Sequence, residues 1–135
     1  MTKILPILLG LSGLVAAGIG AALLFEPVAF EASAGIALPD DPNLTSELRA
    51  PGAALLGAGA FMLLGAFVRR FTRPALWLAT GLYLAYGVGR LVGFAIDGLP
   101  GPTLAVVAAV ELTIGLACLA ATARAPRSPR DTLAA

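Results

Sequence analysis

Two ionisable residues, Arg90 and Glu111, stand inside otherwise apolar stretches of this chain. At the centre of a membrane-spanning helix each charge costs on the order of 3 kcal/mol on insertion scales, so each needs a partner or a purpose. A guanidinium is a planar fork of donors that suits a carboxylate. Arg90 precedes Asp97, where its apolar stretch ends, by roughly 10 Å of helix rise, and Glu111 lies roughly 13 Å into the next stretch. Antiparallel neighbours bring both to one level, where they can pair. As a scaffold the pair fixes helix register, and losing one partner strands a charge. As a site it receives an anionic or polar headgroup, or passes a proton with Glu111 as the titrating group. Tyr83, Tyr86, Arg90 and Asp97 share a broad helix face, and Glu47 and Arg49 precede another apolar stretch at the same end. The expected ligand-binding set is therefore Arg90, Glu111, Tyr86, Tyr83, Asp97, Glu47 and Arg49, a polar pocket open to the outer side.

Other chemistry is restricted by what is missing. The chain has no histidine and one cysteine, Cys118, which excludes zinc, haem and iron–sulfur sites of the usual kinds within one chain. One thiol forms no internal disulfide and no CxxC motif occurs. No metal site, cofactor or catalytic residue is assigned, and without a nucleophile–base pair an enzyme acting on a lipid-phase substrate through Glu111 ranks last. No basic face interleaved with aromatics is present, so nucleic acid is not an expected partner.

The elements that position these residues are four apolar stretches, residues 4–25, 50–68, 74–96 and 102–123. Each has about the length needed to cross roughly 30 Å of hydrocarbon as a helix. Of the 135 residues 59% are hydrophobic and 13% charged, with a mean hydropathy of +0.91. A soluble domain carries about 25% charged residues, so this set cannot build a water-exposed surface. The expected architecture is all-α: residues 1–123 as an integral membrane bundle of four transmembrane helices, followed by a disordered cytoplasmic tail, 124–135. The first stretch is longer than the apolar core of a signal peptide, about 7–15 residues, and is read as a retained helix.

Lys3, Arg69, Arg70, Arg73, Arg124, Arg127 and Arg130 all fall on one side of this arrangement. The positive-inside rule then places both termini in the cytoplasm. Glu26, Glu31, Asp40, Asp41, Glu47 and Asp97 fall on the other side. Residues 69–74 read as a short cytoplasmic turn, and 26–49 as a long outer connection whose apolar part can lie at headgroup level. Thr45 or Ser46 is the expected cap of the second helix, with Pro51 in its first turn or a few residues inside. Small residues at four-residue spacing mark packing stripes in membrane helices. Four such stripes are expected to pack within the bundle, with dimerisation as their alternative use: Gly13, Ala17 and Ala21; Ala53, Gly57 and Gly65; Gly81, Ala85, Gly89 and Gly93; Ala105, Ala109, Thr113, Ala117 and Ala121.

Asn43-Leu-Thr-Ser-Glu47-Leu-Arg49-Ala50, a Gly-rich second stretch, Gly87-Val-Gly-Arg90, Asp97-Gly-Leu-Pro100 and the lone intramembrane Glu111 occur in that order. This combination resembles the small four-helix bacterial membrane proteins of domain-of-unknown-function family 4345, from Leu8 to about Ala121. The resemblance implies the fold, the polar residues and a bacterial cytoplasmic membrane, without supplying an activity. Two functional expectations follow. The first is binding of a lipid, quinone or other small amphiphile in the polar pocket. The second is a structural or accessory role in a larger membrane complex, with Arg90–Glu111 as an internal scaffold pair. Membrane lipids, a small amphiphilic ligand, a membrane protein and a second copy of the chain are the expected partners.

Overall fold

A computed structural model of the chain describes residues 4–124, and every element among them is helical. The helices are α1 (Ile4–Phe25), α2 (Pro27–Ser33), α3 (Pro42–Phe67), α4 (Arg69–Asp97) and α5 (Pro102–Arg124). Four of them, α1, α3, α4 and α5, are long and apolar enough to cross a membrane. Residues 125–135, on which most of the expected tail falls, and Lys3 lie outside the described residues.

Three boundaries differ from the sequence reading. The second long helix starts at Pro42 rather than residue 50, because Asp41 caps it: its carboxylate accepts from the Asn43 amide at 2.9 Å. Thr45 instead donates from its hydroxyl to the Asp41 carbonyl, so neither Thr45 nor Ser46 is the cap. Proline at the first helical position supports this start, since its missing N–H would have had no helical acceptor there. Pro51 consequently falls well inside α3 and leaves the Glu47 carbonyl without its usual donor. Residues 69–74 are the opening turns of α4 rather than a connecting turn. Only Val68, in an extended conformation, links α3 to α4, and Thr72 ties the corner by donating to the Gly65 carbonyl at 2.8 Å. The 26–49 connection is partly helical, through α2.

The helices form two consecutive antiparallel hairpins, α1 with α3 and α4 with α5. In the first, Gly13 opposes Gly59 and Leu63, and Gly20 opposes Gly52 and Leu56. In the second, Leu112 covers Gly87 and Leu84 covers Gly115. The hairpins join through a cluster of Leu9 and Ala16 from α1, Met62 from α3, Ala75, Leu76, Ala79 and Tyr83 from α4, and Cys118 and Ala121 from α5. That cluster lies toward the Val68 end of the bundle. Toward the Asp97 end the buried residues pair within a hairpin instead: Gly20, Leu23, Gly52 and Leu55 in one, Gly87, Ala108 and Glu111 in the other. α3 and α5 make no close approach.

The packing stripes are only partly those expected. In α1, Gly13 is buried against α3, and Ala17 also approaches it through Gly59. In α3 the buried small residues are Gly52, Gly59 and Gly65, whereas Ala53 and Gly57 face outward. In α4, Gly81, Ala85 and Gly89 are exposed, and the seam runs through Leu76, Thr80, Tyr83 and Gly87. In α5, Ala105, Ala109, Thr113 and Ala117 face outward, and the seam runs through Ala108, Glu111, Gly115 and Cys118. The seams repeat at alternating spacings of three and four. That keeps side chains facing one partner along antiparallel helices, whereas a strict repeat of four drifts around the helix.

Candidate functional site

Arg90 occupies the next step of the α4 side of the seam, and Glu111 is a step within the α5 side. Arg90 follows Tyr83 and Gly87, and Glu111 lies between Ala108 and Gly115. The level inferred from helix rise is the level found: Arg90 Nε donates to Glu111 Oε2 at 2.8 Å. The two sides differ in burial. The Glu111 side chain is 10% exposed and that of Arg90 31%. Glu111 is therefore enclosed between the helices, while the guanidinium reaches the surface of the hairpin. Among the described residues Nε–H is the one guanidinium donor taken, so the remaining N–H groups have no protein acceptor.

Beside Arg90 the surface of α4 is indented. Ala85, Tyr86, Gly89 and Arg90 line a shallow, groove-like cleft of about 420 Å³ on one face of α4, open along most of its surface. These positions share a helix face, and the indentation exists because Ala85 and Gly89 are small while Tyr86 and Arg90 rise beside them. A Cβ built on Gly89 would meet nothing within 4 Å. The half-buried Tyr86 sits one turn before Arg90 on this face.

The other four expected site residues are placed elsewhere. Tyr83 points across the bundle rather than into the cleft: it is 5% exposed and its hydroxyl donates to the Ser12 carbonyl at 2.5 Å. Ser12 in turn donates to the Leu8 carbonyl at 2.7 Å and lies 3.8 Å from Cys118 Sγ. These contacts fasten α1 to α4 and α5. Asp97 is exposed at the end of α4. Glu47 is exposed on α3, which belongs to the other hairpin. Arg49 reaches to α1, donating from Nη1 to the carbonyls of Leu24 and, at 3.3 Å, Phe25. The last carbonyls of a helix lack intrahelical donors and carry its negative dipole end, so a guanidinium there supplies both hydrogen bonds and charge. Sequence reasoning missed this cap because nothing in spacing alone relates Arg49 to residues a full helix away.

Arg49→Ala should therefore lower the stability of the first hairpin without touching the cleft. The expected loss is about 1–2 kcal/mol, the range for charge-assisted hydrogen bonds reduced for an exposed group. A thermal melt in detergent would register it, and an unchanged midpoint would remove the cap from the account.

Four apolar helices of spanning length, arranged as two hairpins around a sparse polar seam, give the make-up of a small multi-pass membrane protein. The chain belongs to the DUF4345 family, a domain of unknown function whose family model matches residues 4–122. No match is found among curated proteins, and none among solved structures.

Proposed function

We propose that this protein binds the polar headgroup of a small amphiphile, a lipid or a quinone, in the cleft beside Arg90. The observation that carries this reading is the incomplete pairing of Arg90. It lines a cleft on a helix of spanning length, yet only its Nε–H meets an acceptor among the described residues. A guanidinium at membrane depth draws in a polar partner, because unsatisfied donors in hydrocarbon are costly. Glu111 orients the guanidinium, and Tyr86 and Gly89 shape the space in front of it. The arginines at the Val68 end support an orientation with that end on the cytoplasmic side. The cleft then lies in the half of the bundle nearer the outer face.

The test is native mass spectrometry of the gently solubilised chain beside two variants. Gly89→Met projects a side chain into the cleft from a position where a Cβ meets nothing within 4 Å. Arg90→Lys keeps the charge and loses the fork. A small-molecule adduct on the wild type that disappears from both folded variants supports the reading. An adduct retained by both, or a stoichiometric protein partner in place of any adduct, overturns it and favours the accessory-subunit role.

A further inference from the structure

Arg90 does not offer the cleft a bare positive charge. Its Nε lies 2.8 Å from Glu111 Oε2, and the carboxylate behind it is enclosed between α4 and α5, so guanidinium and carboxylate form a net-neutral unit. Among the described residues no second basic side chain lines the cleft; Ala85, Tyr86 and Gly89 complete it. A carboxylate or phosphate headgroup entering here would lose its hydration and meet Glu111 immediately beyond the guanidinium. Facing a pair that is already net neutral, a further buried charge gains little Coulomb attraction to offset that loss. An uncharged carbonyl loses far less on leaving water and still accepts an N–H donor. Tyr86, about 6 Å of helix rise from Arg90, adds a phenolic donor on the same face.

Resting on the headgroup reading above, we infer that the cleft selects an uncharged carbonyl headgroup on an apolar tail, a quinone ring or an ester, over an anionic headgroup. Glu111 is the positioning residue that sets this selectivity: its hydrogen bond aims the guanidinium, and its charge repels anions.

Three probes with equal tails separate the alternatives: a tetradecyl benzoquinone, methyl myristate and myristate. Each is added to the full chain in non-ionic detergent and read by native mass spectrometry. The wild type should favour at least one carbonyl probe over myristate by about tenfold or more, because like-charge juxtaposition is strongly unfavourable. Binding of the quinone alone or the ester alone identifies the headgroup source, and binding of both assigns the carbonyl as the shared determinant. Glu111→Gln keeps an acceptor for Arg90 Nε while removing the charge, and should move the preference toward myristate. If that variant fails to fold, the wild-type ratio decides alone. Preference of the wild type for myristate overturns the selectivity while leaving headgroup binding in place. Equal binding of all three by wild type and Gly89→Met overturns headgroup binding in the cleft itself.

Discussion

Replacing Gly59 by alanine is expected to cost about 3 kcal/mol, at the upper end of what overpacking a close-packed site costs. A methyl group there would lie 2.7 Å from the Gly13 carbonyl oxygen and 2.8 Å from Ala17 Cα, both backbone atoms of α1. No side-chain rotation relieves such a contact, so the two helix backbones must separate locally. Gly20 and Gly52 form a second such approach further along, the Gly20 position facing the Gly52 carbonyl oxygen at 2.7 Å. The first hairpin is thus held by backbone proximity, which in lipid substitutes for the hydrophobic drive that apolar solvent removes. Gly57, two residues before Gly59, is the internal control: a Cβ there meets nothing within 4 Å. Gly57→Ala should leave stability unchanged or raise it by up to about 1 kcal/mol through helix propensity. Denaturation in mixed micelles would compare the two, and equal effects would show that the α1–α3 contact is not tight.

The second large effect is expected at Glu111. Glu111→Ala removes the acceptor of Arg90 Nε and leaves a guanidinium unpaired in the seam. Breaking a buried pair from one side costs about 3–5 kcal/mol, and the 31% exposure of the Arg90 side chain puts this case near the lower bound. Exchanging the two residues, Arg90→Glu with Glu111→Arg, should recover part of the loss. The same mixed-micelle measurement on the single and double variants yields the coupling energy. A double variant no more stable than the worse single would mean that the surroundings, rather than the pair, set the cost.

Depth in the membrane and direction around each helix differ in how far the residues reveal them. Depth was legible: apolar run length marks four spanning helices, and helix rise places Arg90 level with Glu111, where they meet at 2.8 Å. Direction around each helix was not. A repeat of four small residues identifies a smooth face without saying whether a partner covers it. In α4 the smooth face of Gly81, Ala85 and Gly89 is open, while Leu76, Thr80, Tyr83 and Gly87 are buried. That same rotation turns Tyr83 toward Ser12 and leaves Tyr86 with Arg90 at the cleft. Arg49 is a related case, since its acceptors come from a helix that ends more than twenty residues earlier. Asp41 was hidden differently: the Pro42 that follows it marks a helix start, but the polar character of residues 42–49 disguised the first turns of α3.

The hairpin arrangement has a consequence for how the protein is made. Each hairpin is a continuous piece of chain, and its principal interface involves only its own residues. The α1–α3 contact can therefore close while the second half is still being translated. At synthesis rates of about 5–20 residues per second, that gives the first hairpin roughly 3–10 s alone in the bilayer. During that interval the α1 and α3 residues of the joining cluster, Leu9, Ala16 and Met62, face lipid, and nothing polar is stranded by the wait except Ser12, which bonds its own helix through the Leu8 carbonyl. Arg90 and Glu111 belong to the same hairpin, so insertion of α4 and α5 as one unit brings the pair into the membrane together. Biogenesis can thus proceed by two pairwise insertions, so that neither charge of the pair has to cross the hydrocarbon alone.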